Sequence, residues 1–400
     1  MLTFNKEKCT ACGACVQACP QSSISLQPDE NGFLYPSLFS AACFDCNACS
    51  FVCPITKQRP EKSFQQKAYA AIHNDKSEVM RGTSGGAFGA IAEHVLKKNG
   101  VVYGCAYEEG LQAAHIRVDD FNALSRLNGS KYVQSHTKMT FSSARKDLNE
   151  GRLVLFSGTP CQIAGLQSFL KRPYDNLITV DLICHGVPSQ AFFNAFLDWY
   201  QKKHGVVLTD VAFRDKRNNG WGLSGTYTGT DIKTGSAFFK KMNYYESFYY
   251  FYFLAGVSYR DSCYTCDYAT LNRVGDFTLG DFWGAEGYDL PFSSKEGCSL
   301  ILANSDKASA LLAELNVRST EVSLEDALRC NEQLRKPSRL PAEREEILRQ
   351  FRECDAETIQ RLFKKNHKRA IRKAKIKYAI PSPLKFFLLK LKYKRLLNKK

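Results

Sequence analysis

The 400-residue sequence predicts three parts: a small α+β module at the N-terminus, an α/β domain interrupted by an antiparallel excursion, and a helical, basic C-terminal tail. Three observations predict it. One cysteine pattern is written twice within the first 53 residues. From about residue 79, stretches of helical spacing alternate with short apolar, β-branched runs, the signature of an α/β domain with a mainly parallel core. Positive charge gathers at one end. The boundaries follow: 1–60 for the module, 61–78 for a polar linker, 79–325 for the α/β domain and 326–400 for the tail.

In the module, Cys9, Cys12, Cys15 and Cys19, followed by Pro20, return as Cys43, Cys46, Cys49 and Cys53, followed by Pro54, at a constant displacement of 34 positions. C-x2-C-x2-C-x3-C-P in duplicate is the pattern of a bacterial two-cluster, ferredoxin-like domain, in which the fourth cysteine of each run ligates the other cluster. That rule assigns Cys9, Cys12, Cys15 and Cys53 to one 4Fe-4S cluster, and Cys43, Cys46, Cys49 and Cys19 to its partner. A disulfide framework belongs to secreted chains, and the opening MLTFNKEKC shows no apolar signal segment. Zinc sites use separated Cys-x2-Cys pairs rather than triplets with a trailing Cys-Pro. Gly13 follows the second cysteine of the first run and Asn47 that of the second; asparagine is the next most tolerant residue for a left-handed backbone.

Composition sets the frame. At 44% hydrophobic and 24% charged the chain reads as an ordinary globular protein. Residues 247–259 form the longest uncharged apolar run, short of the ~20 residues a bilayer span needs. Iron–sulfur chemistry and the absence of a signal segment point to a reducing cytoplasm. The net charge of +15 is a property of the tail: residues 361–400 hold 16 Lys or Arg and no Asp or Glu, leaving 39 basic against 40 acidic residues elsewhere.

Along the α/β domain, residues 85–98 have helical spacing and stop at Asn99-Gly100. A strand follows at 101–107, with 115–118 pairing to it. Residues 138–150 read as a helix. The buried strand 153–156 runs through Ser157-Gly158-Thr159-Pro160-Cys161 into a helix ending at 170. Residues 177–184 (LITVDLIC) form the next buried strand, followed by a helix at 190–203. The glycine-richer 208–234 is the antiparallel excursion, and 299–303 is a last core strand before a helix around 308–315. The aromatic run 244–259 suits buried core, with pocket lining or a docking surface as alternatives.

Cys161 and Cys184 each stand at the carboxyl end of a core strand, where parallel α/β sheets bind ligands. With Cys263 and Cys266 they make four thiols for a third cluster; a redox dithiol, half a zinc site or simple packing are the competing readings. Cys105, Cys298, Cys330 and Cys354 sit singly and read as packing residues. Ser84-Gly85-Gly86 and Gly158-Thr159 each open a helix, where backbone N–H groups suit a phosphate. Neither matches a dinucleotide or P-loop fingerprint. The segment 129–135 packs Lys131, Tyr132, Gln134 and Ser135 together.

SGGAFGAIAEHVL from Ser84, NGSKYVQS from Asn128, SGTPCQIAGL from Ser157, ICHGVPS from Ile183 and CYTCDYATLNRVGDFTLGDFWG from Cys263 stand in one order along some 200 residues. Together they resemble the beta-subunit family of coenzyme F-420-dependent hydrogenases and dehydrogenases, here preceded by the ferredoxin-like module. The resemblance implies an α/β flavin-binding domain with FAD and its own 4Fe-4S cluster on Cys161, Cys184, Cys263 and Cys266. It implies that Ser84, Gly85, Gly86, Lys131, Tyr132, Gln134, Ser135, Gly158 and Thr159 line the flavin. It leaves the substrate open, since relatives of this fold include enzymes that never use the deazaflavin.

The logic is a converter. Cubane clusters carry single electrons, and a flavin exchanges single electrons for pairs. The expected protein is an iron–sulfur flavoprotein oxidoreductase working with a redox partner, such as ferredoxin or a dehydrogenase or reductase subunit, and with a small-molecule acceptor. Lys131 and His185 are the candidate catalytic residues. The alternative is a non-catalytic electron-transfer subunit. In the tail, LKFFLLKLKYKRLL (residues 384–397) suits an amphipathic helix lying on anionic lipid, hence peripheral contact with the inner face of the membrane. No recognition module accompanies the charge, so no nucleic-acid partner is expected.

Overall fold

The computed structural model describes residues 4–39, 43–57 and 64–397. An antiparallel hairpin, β1 (Ile24–Pro28) and β2 (Leu34–Leu38), and two short helices, Ala14–Ala18 and Ala48–Phe51, build the N-terminal module. Each of these helices follows a left-handed residue, Gly13 (φ 85°) in one repeat and Asn47 (φ 57°) in the other. The same turn is thus made twice with the two residue types that tolerate it.

The central sheet has eight strands. With β3 (Lys67–His73), β4 (Val101–Tyr107), β5 (Ala113–Val118), β6 (Val154–Gly158), β7 (Leu177–Leu182), β11 (Phe277–Asp281), β12 (Ser299–Ala303) and β13 (Val317–Val322), its order is β13-β3-β12-β11-β7-β6-β4-β5. Only β4, β6, β7 and β11 run parallel; the flanking pairs are antiparallel. The expected parallel core therefore occupies the middle of a mixed sheet. The polar stretch expected as a linker is corrected in part: Lys67–His73 inserts as β3 between β12 and β13, and the boundary near residue 60 lies outside the described residues.

The excursion is a separate sheet of β8 (Val206–Ala212), β9 (Ser224–Asp231) and β10 (Ala237–Asn243). The run 244–259 is core: in the helix Phe248–Leu254, Phe248, Tyr249, Tyr250 and Tyr252 are fully buried against Phe193, Phe196 and Phe213. Burying so many rings is where aromatic side chains contribute most to a core.

Local signals fix the elements that matter for the site. The helix Pro160–Leu170 starts with proline in its first turn and a capping box in which Thr159 and Gln162 exchange hydrogen bonds. The helix Gln190–His204 is capped by Ser189 and stopped by left-handed Gly205. Both follow core strands, so Cys161 and Cys184 emerge at one edge of the parallel strands.

The module is not a bead on a string. Cys12, Ala14 and Val52 share a hydrophobic core with Phe141, Ile163 and Phe169 of the α/β domain. The tail folds back as well. The helix Lys368–Tyr378 brings Tyr378 against Tyr244 and Tyr245, and the helix Ser382–Leu397 sets Tyr393 and Leu397 against Gly284 and Gly287. No helix among the described residues is long and apolar enough to cross a membrane.

Candidate electron-transfer site

Twelve cysteines fall into three groups of four. Cys9, Cys12, Cys15 and Cys53 form the first. Burial pushes the Cys15 thiol up to about 12, and the neighbouring Cys9 and Cys53 add to it; Cys12 is raised well up by burial and then by Cys15, Cys161 and Cys9. Cys19, Cys43, Cys46 and Cys49 form the second and line one small cavity with Ile24 and Leu38. Cys161, Cys184, Cys263 and Cys266 form the third: burial raises Cys184 well up, and Cys263, Cys161 and Cys266 push it further. Burial takes Cys263 to about 12 and Cys266 to about 11, Cys161 again contributing to both.

Thiols that oppose one another's ionisation are poor neighbours until a cation joins them. Among the described residues no three His, Cys, Asp or Glu converge on a point suited to one metal ion. Quartets of soft sulfur donors have the chemistry that suits an iron–sulfide core. Of the remaining cysteines, Cys298 is fully buried, Cys354 packs against the aromatic core, and Cys105 packs against that core while lining the same cavity as Cys161 and Cys184.

The three groups are consecutive. Cys15 lies in the field of Cys49, joining the second group to the first, and Cys12 in that of Cys161, joining the first to the third. The second junction is tight because position 165 is glycine: a Cβ there would stand 2.9 Å from the Cβ and Sγ of Cys12. Thr137 Oγ donates to the Cys12 carbonyl at 2.9 Å, and Gln17 Oε1 accepts from the Phe141 and Ser142 amides.

Cys161 and Cys184 also line a cavity of ≈ 320 Å³ at the edge of the sheet, within the range of small-molecule sites, ~300–1,000 Å³. Ser84, Gly86, Lys131, Tyr132, Gln134, Ser135, Gly158, Thr159 and His185 line it too. Gly85 does not. It lies behind the wall, its N–H donated to Ser299 Oγ at 2.9 Å, and a Cβ there would meet the Ala71 carbonyl at 2.3 Å. The Thr159 N–H is likewise taken, by Gln162 Oε1. These helix starts offer an anion fewer free donors than their sequences suggest.

Lys131 donates to the carbonyls of Arg126 and Asn128, at 3.0 and 2.6 Å, which leaves one of its three donors. Burial holds its ammonium below the usual lysine range. His185 lines the cavity, and burial among its neighbours lowers its pKa below the usual histidine range. Gln134 is held at both ends of its amide, accepting from Arg260 and donating to the Thr10 carbonyl.

Sequence reasoning missed three features. His115 is buried in the cavity wall between Ser135 Oγ (2.8 Å) and the Ser157 carbonyl (2.9 Å), and burial lowers its pKa to about 4. Arg214 and Asp281 form a buried bidentate pair at the far end, with Trp221 donating to the same carboxylate at 2.9 Å. Arg260 reaches into the module. A histidine inside a strand carries no signal; Arg260, three residues before Cys263, stood close enough to a motif to be noticed.

The arrangement is that of an iron–sulfur electron-transfer protein. Residues 8–57 match the 4Fe-4S dicluster domain. Residues 151–327 match the family described as the C terminus of the coenzyme F420 hydrogenase/dehydrogenase beta subunit. No curated protein matches the chain. Among solved structures it is similar to a chain described as "Xenon derivatization of the F420-reducing [NiFe] hydrogenase complex from Methanosarcina barkeri", with 14% identity, 76% of this chain and 94% of that chain covered, and a TM-score of 0.40.

Proposed function

We propose that the chain is a converter: electrons enter singly at a surface 4Fe-4S cluster, pass through two more, and reach FAD in the ≈ 320 Å³ cavity, where a small organic molecule exchanges two electrons. Cys19, Cys43, Cys46 and Cys49 would hold the outer cluster, Cys9, Cys12, Cys15 and Cys53 the middle one, and Cys161, Cys184, Cys263 and Cys266 the inner one. The observation that carries the reading is continuity. Cys49 neighbours Cys15, Cys12 neighbours Cys161, and Cys161 stands in the cavity wall.

A bound flavin would supply the exchange between single electrons and pairs. Ser84, Gly86, Tyr132, Gln134, Ser135, Gly158 and Thr159 would line it. The remaining donor of Lys131 is assigned a hydrogen bond to it, and His185, neutral in the cavity wall, is assigned proton exchange with substrate. The outer end suits a protein donor: Cys46 is exposed, and Phe44 and Phe51 beside it are 59% and 69% exposed. Such a small apolar rim matches the transient docking of redox partners. The tail would add contact with an anionic membrane surface.

Anaerobic purification followed by iron, sulfide and flavin analysis tests the proposal. About twelve irons, four per cluster, and one flavin per chain are expected. About eight irons without flavin would reduce the protein to an electron-transfer adaptor.

A further inference from the structure

We infer that Arg260 is the positioning residue that couples the first and third cysteine quartets, holding the N-terminal module in register and placing a permanent positive charge between two redox centres. This rests on the relay proposed above.

The geometry is a three-way fork. Arg260 Nε donates to the Cys9 carbonyl at 2.7 Å and Nη2 to the Leu34 carbonyl at 2.6 Å, both in the module. Nη1 donates to Gln134 Oε1 at 3.2 Å, and the amide of Gln134 passes to the Thr10 carbonyl at 3.1 Å. The guanidinium lies 4.1 Å over the Tyr35 ring. The backbone of Arg260 meanwhile belongs to the third quartet's loop: its N–H donates to Val187, and its carbonyl accepts from Cys263, both at 3.0 Å. One side chain therefore ties a first-quartet loop to a third-quartet loop.

The charge is the second observation. Arg260 is 1% exposed, and none of the ion pairs among the described residues includes it. The adjacent Asp261 is paired with Arg344 instead. A buried guanidinium without a carboxylate is costly, and it stays charged. Tyr35 and Gln134 face it as neutral groups; Cys9, Cys161 and Cys263 are the thiols in its field. Four thiolates outweigh the positive charge of a cubane core, so both loaded quartets would be net anionic and would supply the missing counter-charge. Each gains one further negative charge, and no proton, when one electron arrives. A fixed cation beside both favours that reduced state. The hydrogen bonds of Arg260 reach the loops of the first and third quartets and no cysteine of the second, so the charge would lower the way inward from the surface.

The experiment is a potentiometric titration of the full-length protein followed by electron paramagnetic resonance, with iron and sulfide measured on the same samples. Arg260→Gln should keep its iron while the equilibrium constant for reducing two of three clusters falls by about tenfold, which is about 59 mV for a one-electron couple. The third couple should not move. Arg260→Lys keeps the charge but lacks the fork, so its couples should stay near wild type while amide exchange at residues 34–38 quickens. Gln134→Glu sets a carboxylate against an intact guanidinium and should lower the same two couples; it decides the matter if Arg260→Gln loses iron. Wild-type protein with about eight irons would sink the relay itself. Full iron with unmoved couples in Gln134→Glu, or a uniform shift of all three, overturns the role of Arg260 alone.

Discussion

Among the described residues Arg273 and Asp181 are the most completely buried ion pair, 2.6 Å apart with side chains at most 1% exposed. Arg273 also donates to the carbonyls of Tyr268 and Leu182, while Asp181 accepts from the Val274 and Gly275 amides. The pair thereby fixes the segment after Cys266 against the end of β7, just before Cys184. Arg273→Ala should destabilise the fold by about 3–5 kcal/mol, because a buried carboxylate loses its partner; urea unfolding checks this. Removing Asp181 as well would not restore stability, since the Val274 N–H would then lose its acceptor. At this scale, what the sequence revealed depended on repetition. The module cysteines could be read from their spacing, because eight residues repeat one rule. Arg260, Arg273 and His115 act singly, and their partners lie far away in the chain; only the fold brings them together.

Among the elements, β11 and β13 drew no prediction, but the long helices and the buried strands β4, β6, β7 and β12 of the α/β domain were legible because periodicity and stop signals agreed. β3 was not. Its sequence, KAYAAIH, is alanine-rich and follows a polar stretch, so it lacks the β-branched signature of a core strand; burial against β12 decides its conformation. The tail helix Ser382–Leu397 was legible as a helix, but not its sidedness. Leu384, Phe387, Leu388 and Leu391 are exposed at i, i+3, i+4 and i+7, while Tyr393 and Leu397 pack inward. We propose that this exposed apolar stripe among lysines rests on anionic lipid. A Phe387→Ser/Leu388→Ser variant should lose at least about tenfold in affinity for vesicles containing phosphatidylserine, given ~1.5–3 kcal/mol per large apolar side chain buried. Co-sedimentation equal to wild type would dispose of the membrane contact.

The whole molecule is polarised. Its duplicated module no longer has equivalent halves: Cys12 of the first repeat is buried against Gly165, while Cys46 of the second, its counterpart 34 residues on, is exposed beside Phe44 and Phe51. A symmetric ferredoxin pattern in sequence gives no hint of this, because the asymmetry comes from which half the α/β domain covers. It bears on durability in air. Oxidants and chelators would reach the outer cysteines long before the buried ones, so bleaching should proceed in two stages. Treatment with an iron chelator should release about four irons quickly, one cluster's worth, and the rest only as the fold opens. A single release phase for all the iron, followed by absorbance, would contradict it. The exposed half would then serve as a fuse, failing first while the inner centres survive.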